Sequence, residues 1–133
     1  MSSTFVAIDF ETADYLADSA CAVALVRVEE WEVVAKEVRL IRPPRRWMQF
    51  AYIHGIEWEH VADQPPFGDV WRALVPLLDG ADRLVAHNAP FDRNVLRACC
   101  EAAGLKMPCL PFLCTVQLAR RTWNLRPANL PAV

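Results

Sequence analysis

"LVAHNAPFDRNVL", residues 84–96, is the stretch on which the fold turns. Leu84-Val85-Ala86 is apolar and reads as the end of a buried strand. The chain breaks at His87-Asn88-Ala89-Pro90 and continues with helical spacing through Val95 and Leu96. A strand that passes through a short break into a helix is the first half of a βαβ unit, which implies a parallel strand pair and an α/β sheet. The same break sets a carboxylate, Asp92, in the first helical turn at the carboxyl end of the strand. Such an acid has a simple duty in complementing the positive helix end. It has a second duty if other carboxylates meet it at the sheet edge, where open α/β sheets gather ligands.

Working outward from that stretch, a helix is expected from about Pro90 to Ala103. Phe91, Val95, Leu96, Cys99 and Ala103 share its apolar face, and Gly104 ends it. "PFLCT" (111–115) reads as a short strand, and "VQLARRTW" (116–123) starts a further helix. Upstream, "RLVAH" (83–87) is a strand. "FGDVWRALVPLLDG" (67–80) carries Phe67, Val70, Trp71, Leu74, Leu77 and Leu78 at helical spacing, with Pro76 placed to kink it. "PPRRWMQFAYIHGIEWEHVADQPP" (43–66) has Pro at both ends and reads as a long connection with a helical turn or two. Before it, residues 4–11, 20–28 and 32–42 are rich in Val and Ile and form three strands in succession, an antiparallel meander. The fold class is α/β: a mixed sheet of about five strands, three antiparallel and then βαβ, flanked by helices.

The 133 residues suit one domain with ample apolar material for a core. A net charge of -2 announces no polyanion partner, although residues 1–64 hold eleven acids against six Lys and Arg while residues 65–133 hold five against eight. Asp9 and Glu11 interrupt the first apolar run, so a signal peptide is not expected, and "ACAVALV" is far too short to cross a bilayer. A cytoplasmic location with no membrane partner follows. Cys21, Cys99, Cys100, Cys109 and Cys114 form no CxxC pair and read as reduced core thiols.

Asp9 and Glu11 supply the partners that Asp92 needs. One residue apart in a strand, they leave the same face with Cα atoms about 6.6 Å apart, while Val6, Ile8 and Phe10 face the core. Alone, an Asp-x-Glu pair is more often an exposed strand face. With a third carboxylate at a neighbouring strand end, the cost of crowding acids points to hard divalent cations, Mg²⁺ or Mn²⁺. Two such ions about 3.5 to 4 Å apart clamp the attacking and leaving oxygens of a phosphodiester.

"FVAIDFETA" (5–13), "IHGI" (53–56) and "LVAHNAPFDRNVL", with support from "SACAVALVRV", "LIRPP" and "LCTVQLARR", resemble the DEDD 3′-5′ exonucleases. The resemblance is to the DEDDh, DnaQ-like branch related to the proofreading ε-subunit of bacterial DNA polymerase III. It implies a ribonuclease H-like fold and two-metal hydrolysis at the 3′ end of single-stranded DNA or RNA. It also implies roles for residues: Asp9, Glu11 and Asp92 as catalytic metal ligands, and Phe10, Thr12, His54, Gly55, Ile56 and Asn88 around the terminal nucleotide. Asn88 stands in addition where a helix cap is expected. Association with a polymerase, and the choice between DNA and RNA, are left open.

Two departures qualify the resemblance. Glu57 follows "IHGI" where family members commonly have Thr. The branch's third motif, HxAxxD, brings a general-base histidine and a fourth acid downstream of "CTVQLARR", and "NLRPANLPAV" (124–133) holds neither. The chain is therefore expected to be a single exonuclease-like domain over 1–133 lacking its C-terminal portion, and inactive or feeble as it stands. "HNAPFD" itself fits HxAxxD, but Asp63, Asp69, Asp79 and Asp82 lie in connections or on a helix, so no other second-motif acid is available and Asp92 keeps that assignment. The alternative reading is a non-catalytic nucleic-acid-binding or protein-interaction domain on the same scaffold. His60 reads as a solvated side chain and His87 as an orienter of its turn. The tryptophans include a candidate base-stacking platform, with Trp71 assigned to packing. Arg93, Arg97, Arg120, Arg121 and Arg126 read individually as solvated charges, with phosphate contact as the alternative.

Overall fold

The computed structural model describes residues 3–115. The helix expected over "VQLARRTW" lies outside them, as do Arg120, Arg121, Trp123 and Arg126. Five strands form one sheet in the order β3-β2-β1-β4-β5. β1 (Thr4–Thr12), β2 (Ala20–Glu29) and β3 (Glu32–Leu40) are the antiparallel meander, and β4 (Arg83–Ala86) and β5 (Phe112–Cys114) continue it in parallel from β1. β1 is central. Its partners on the two sides are Ala7↔Val26 and Ala7↔Val85, so the strand carrying Asp9 and Glu11 is supported along its middle by both neighbours.

Period-2 alternation divides β1 as its sequence implies. Val6, Ile8 and Phe10 are buried, whereas Asp9 is exposed and Ala7 and Glu11 are half-buried. The buried face meets α3 (Phe67–Leu74) through Phe67, Val70, Trp71 and Leu74, and α4 (Ala89–Ala103) through Val95, Leu96, Cys99 and Cys100. Phe67 stacks on Trp71 with ring centroids 5.7 Å apart, which supports packing as the role of Trp71. Pro76 converts the helix rather than bending it: α3 gives way to a 3₁₀ turn at Val75–Leu78, with the proline in the first turn, where its missing N–H costs nothing.

The connection from 43 to 66 holds two short helices, α1 (Ala51–His54) and α2 (Trp58–Val61). Gly55 closes α1 at φ 76, a conformation open to glycine. His60 is more than a solvated side chain: its Nδ1 accepts the Glu57 N–H at 2.8 Å, and with the Glu57 carboxylate it completes a capping box on α2. Asn88 takes the cap position of α4 but makes no side-chain cap bond. Its carbonyl instead accepts the N–H groups of Phe91 and Asp92 at 3.0 and 3.2 Å. The cysteines are free thiols, yet Cys109 is exposed, unlike the other four, because it lies in the irregular link between α4 and β5. Among the described residues, no helix is long and apolar enough to cross a membrane.

Candidate active site

The three acids meet at the carboxyl ends of β1 and β4. β1 presents Asp9 and Glu11 on one face, and the break after β4 turns α4 so that Asp92 points back at β1. The Phe10 N–H donates to Asp92 Oδ1 at 3.0 Å, a contact between residues 82 positions apart. That amide belongs to the residue between Asp9 and Glu11, so all three carboxylates stand around one backbone unit. The start of α4 is also anchored to β5, where the Ala89 N–H donates to Cys114 Sγ at 3.4 Å. His87 is held by Thr115, Nδ1 to Oγ1 at 2.9 Å, and lies close enough to Asp9 to act on its charge.

Asp92 is only 3 % exposed. Burial pushes its carboxyl up to about 7; the Phe10 N–H opposes that rise, and the charges of Asp9 and Glu11 add to it. Partial burial also raises Asp9, against the pull of His87, and it raises Glu11, where the Asp9 charge adds and His54 opposes. Three acids pressed toward neutrality in one place are a site that gains by taking up positive charge.

The donor set is all oxygen and anionic, which fits a hard divalent cation. Among the described residues, however, no three His, Cys, Asp or Glu side chains form a ready-made metal cage. Asp92 Oδ1 is engaged by the Phe10 amide.

Beside the acids is a slot of about 170 Å³ lined by Phe10, Glu11, Thr12, Phe50, Ile53, His54 and Phe91. It continues into a space of about 210 Å³ bordered by Tyr15, Leu16, Asn94 and Val95. Tyr15 meets Phe50 edge-on with centroids 4.8 Å apart. His54 is fixed by two backbone bonds: the Ile56 N–H donates to Nδ1 at 3.0 Å, so the proton sits on Nε2, which faces the Thr12 carbonyl at 2.9 Å. His54 thus ties α1 to the end of β1.

The structure brings Phe10, Thr12 and His54 of the expected nucleotide-contacting set to this slot. Gly55 is the cap of α1 and does not line it. Ile56 packs with Ala13, Cys21 and Val61. Asn88 is exposed at the start of α4, and its side chain makes no cap bond there.

Phe91 corrects the sequence reading. Placed on the apolar face with Val95 and Leu96, it is instead 42 % exposed and forms a wall of the slot. The buried stripe of α4 runs through Ala89, Asp92, Val95, Leu96, Cys99 and Cys100. A hydropathy pattern does not select a stripe that contains a carboxylate, and so it turns Phe91 inward. Phe50 and Ile53 were also missed. Their signal was the Phe-Ala-Tyr-Ile run next to "IHGI", too apolar for a purely solvated link. Among the described residues, no tryptophan lines the slot.

Similarity to known proteins agrees with this arrangement. The family model described as "Exonuclease" (RNase_T) matches residues 6–133. Exodeoxyribonuclease 10 of Escherichia coli (strain K12) is 38% identical over 117 residues, which is 87% of this chain and 47% of that protein. The 3′-5′ exonuclease DinG of Bacillus subtilis (strain 168) is 32% identical over 120 residues, 87% of this chain and 13% of its own length. The chain thus spans about half the length of the first relative and a small part of the second. Among solved structures, Exonuclease X in complex with 5′ overhanging duplex DNA superposes with a TM-score of 0.74 at 33% identity, over 94% of this chain and 68% of that one. The nuclease domain of 3′hExo, a DEDDh family member bound to rAMP, gives 0.79 at 15% identity over 94% and 72%, a likeness of fold that bears out the ribonuclease H-like sheet. Matched by the family model over nearly its whole length, the chain belongs to the RNase_T exonuclease family.

Proposed function

We propose that this chain is the nuclease domain of a metal-dependent 3′-5′ exonuclease, removing nucleotides from the 3′ end of single-stranded nucleic acid. Asp9, Glu11 and Asp92 would hold two divalent ions, Mg²⁺ or Mn²⁺. The observation that carries this reading is the Phe10 N–H to Asp92 Oδ1 bond, which closes α4 onto β1 and collects three carboxylates at one sheet edge. The printed names of the relatives support the direction and the substrate class: a 3′-5′ exonuclease, an exonuclease bound to DNA, and a nuclease bound to rAMP.

When bound, the ions supply charge neutralisation and a Lewis acid for the phosphoryl group. The chain itself selects and positions. Phe50 and Phe91 both line the slot, and base stacking on them is indifferent to base identity. The floor of the slot at Phe10 and Thr12 stops the strand, so the terminal nucleotide is the one placed beside the acids. His54, through the Thr12 carbonyl, keeps that floor in register with Glu11. Asn88 offers an amide at the mouth for a phosphate or sugar oxygen.

Titration with Mn²⁺ followed by thermal unfolding tests the reading. A rise in midpoint is expected, with thymidine 5′-monophosphate binding only when metal is present, and D9N should remove both effects. Trimming of a 5′-labelled strand is expected to be feeble, to proceed from the 3′ end in single-nucleotide steps and to stop with EDTA. Metal binding that D9N and D92N leave untouched would refute the assignment.

A further inference from the structure

The flank of α4 on the other side of Asn94 from the slot borders a cleft of about 520 Å³. Arg93, Asn94 and Arg97 line it from the helix, and Met107, Leu110 and Phe112 line it from the segment that leads into β5. It runs along the helix from Pro90, in the first turn of α4, and Asn94 is common to this cleft and to the space that continues the slot. No acid borders it. Among the described residues, neither arginine pairs with a carboxylate. Arg97 donates to the Asn94 side-chain oxygen, which aims its guanidinium without neutralising it. Four positions apart on one helix, the two arginines have Cβ atoms about 5–6 Å apart and form a two-step cationic rail.

We propose that this cleft is the track of the strand upstream of the 3′-terminal nucleotide, with Arg93 and Arg97 each holding one of two successive phosphates. The apolar wall of Met107, Leu110 and Phe112 then takes sugar and base faces. This rests on the exonuclease reading and extends it by naming the path of the substrate. Two cations in series beside an aromatic wall match a polymer with repeating anions and flat bases. A single anionic chain end, such as an acidic peptide terminus, would need only one of them.

The test compares the wild-type chain with R93A/R97A and R93K/R97K. Both sites are exposed on a helix, so alanine does not threaten folding. The probes are a 5′-fluorescein octathymidylate with hydrolysis-resistant phosphorothioate linkages and, separately, thymidine 5′-monophosphate, both in Mg²⁺. The alanine pair is expected to bind the octamer about tenfold more weakly, with the slope of log affinity against log salt smaller by about 1.4, because roughly 0.7 is lost per phosphate contact on a single strand. Monophosphate binding should be unchanged, and the lysine pair should keep most of the slope. Equal octamer affinity and slope in the alanine pair would overturn the track while leaving the exonuclease reading intact. So would an equal loss of monophosphate binding, or retention by the cleft of an acidic peptide in place of the octamer. Failure of the wild-type chain to bind either probe would overturn both readings.

Discussion

Asp92 shows how a single residue serves function against stability. Its folded-state pKa, about 7, lies above the ordinary 3.8. Its contribution to stability is therefore full below about pH 4 and is lost as pH rises toward 7. Asparagine can still accept the Phe10 N–H and carries no charge to desolvate. D92N should raise the metal-free protein's stability by about 1–3 kcal/mol at pH 8 and flatten the dependence between pH 4 and 7, measured by urea titration at several pH values. The same variant should lose the Mn²⁺-induced stabilisation. Phe91 makes the complementary case, an apolar residue held out of the core to face a ligand. F91A should cost little stability while weakening thymidine 5′-monophosphate binding by about tenfold, the scale of one lost stacking partner. The identity of the acids was legible from their spacing. The orientation of Phe91 was not, because a helical wheel ranks residues by hydropathy and Asp92 holds a core position.

At the scale of elements, the loop from β1 to β2 and the hairpin from β2 to β3 are opposite cases. Asp14 is buried in the first loop, which by itself raises its pKa. The Arg45 side-chain bond, the Leu16 N–H and Ser19 more than offset that, leaving it below the ordinary value. Arg45 also pairs with Asp18, so one guanidinium closes the loop that borders the slot. Asp14 thus contributes stability above about pH 4 that is lost as pH falls. R45A should cost about 1–3 kcal/mol at pH 7 by denaturant titration and shift acid unfolding to higher pH. The hairpin turn is made by Glu30 and Trp31 at φ 52 and 69, a left-handed pair built without glycine or asparagine. E30N/W31G should raise stability by about 1–2 kcal/mol in the same assay. Strands, helices and the conversion at Pro76 were readable locally, since period and proline chemistry are local. The Arg45 clamp was not, because it joins residues 31 and 27 positions apart through a connection with no periodicity.

For the whole molecule, the central pairing of β1 with β4 links the site to stability. Leu84 is fully buried where β4 meets β1 and the helical layer. L84A should cost about 2–5 kcal/mol, read from urea midpoints, and should lower metal affinity with it, since loosening β4 frees the turn that aims Asp92. By itself, the sequence determined the α/β class, the meander followed by a βαβ unit, and the three carboxylates as the donor set. These follow from alternation, helical spacing and a strand-to-helix break, each set by neighbours along the chain. Only the tertiary structure decided that Asp92 is tied to the Phe10 amide, that Phe50 and Phe91 line one slot, and that Arg93 and Arg97 border one cleft. Each of these depends on segments far apart in the chain being closed onto one another by the common core, and that closure leaves no trace in local spacing.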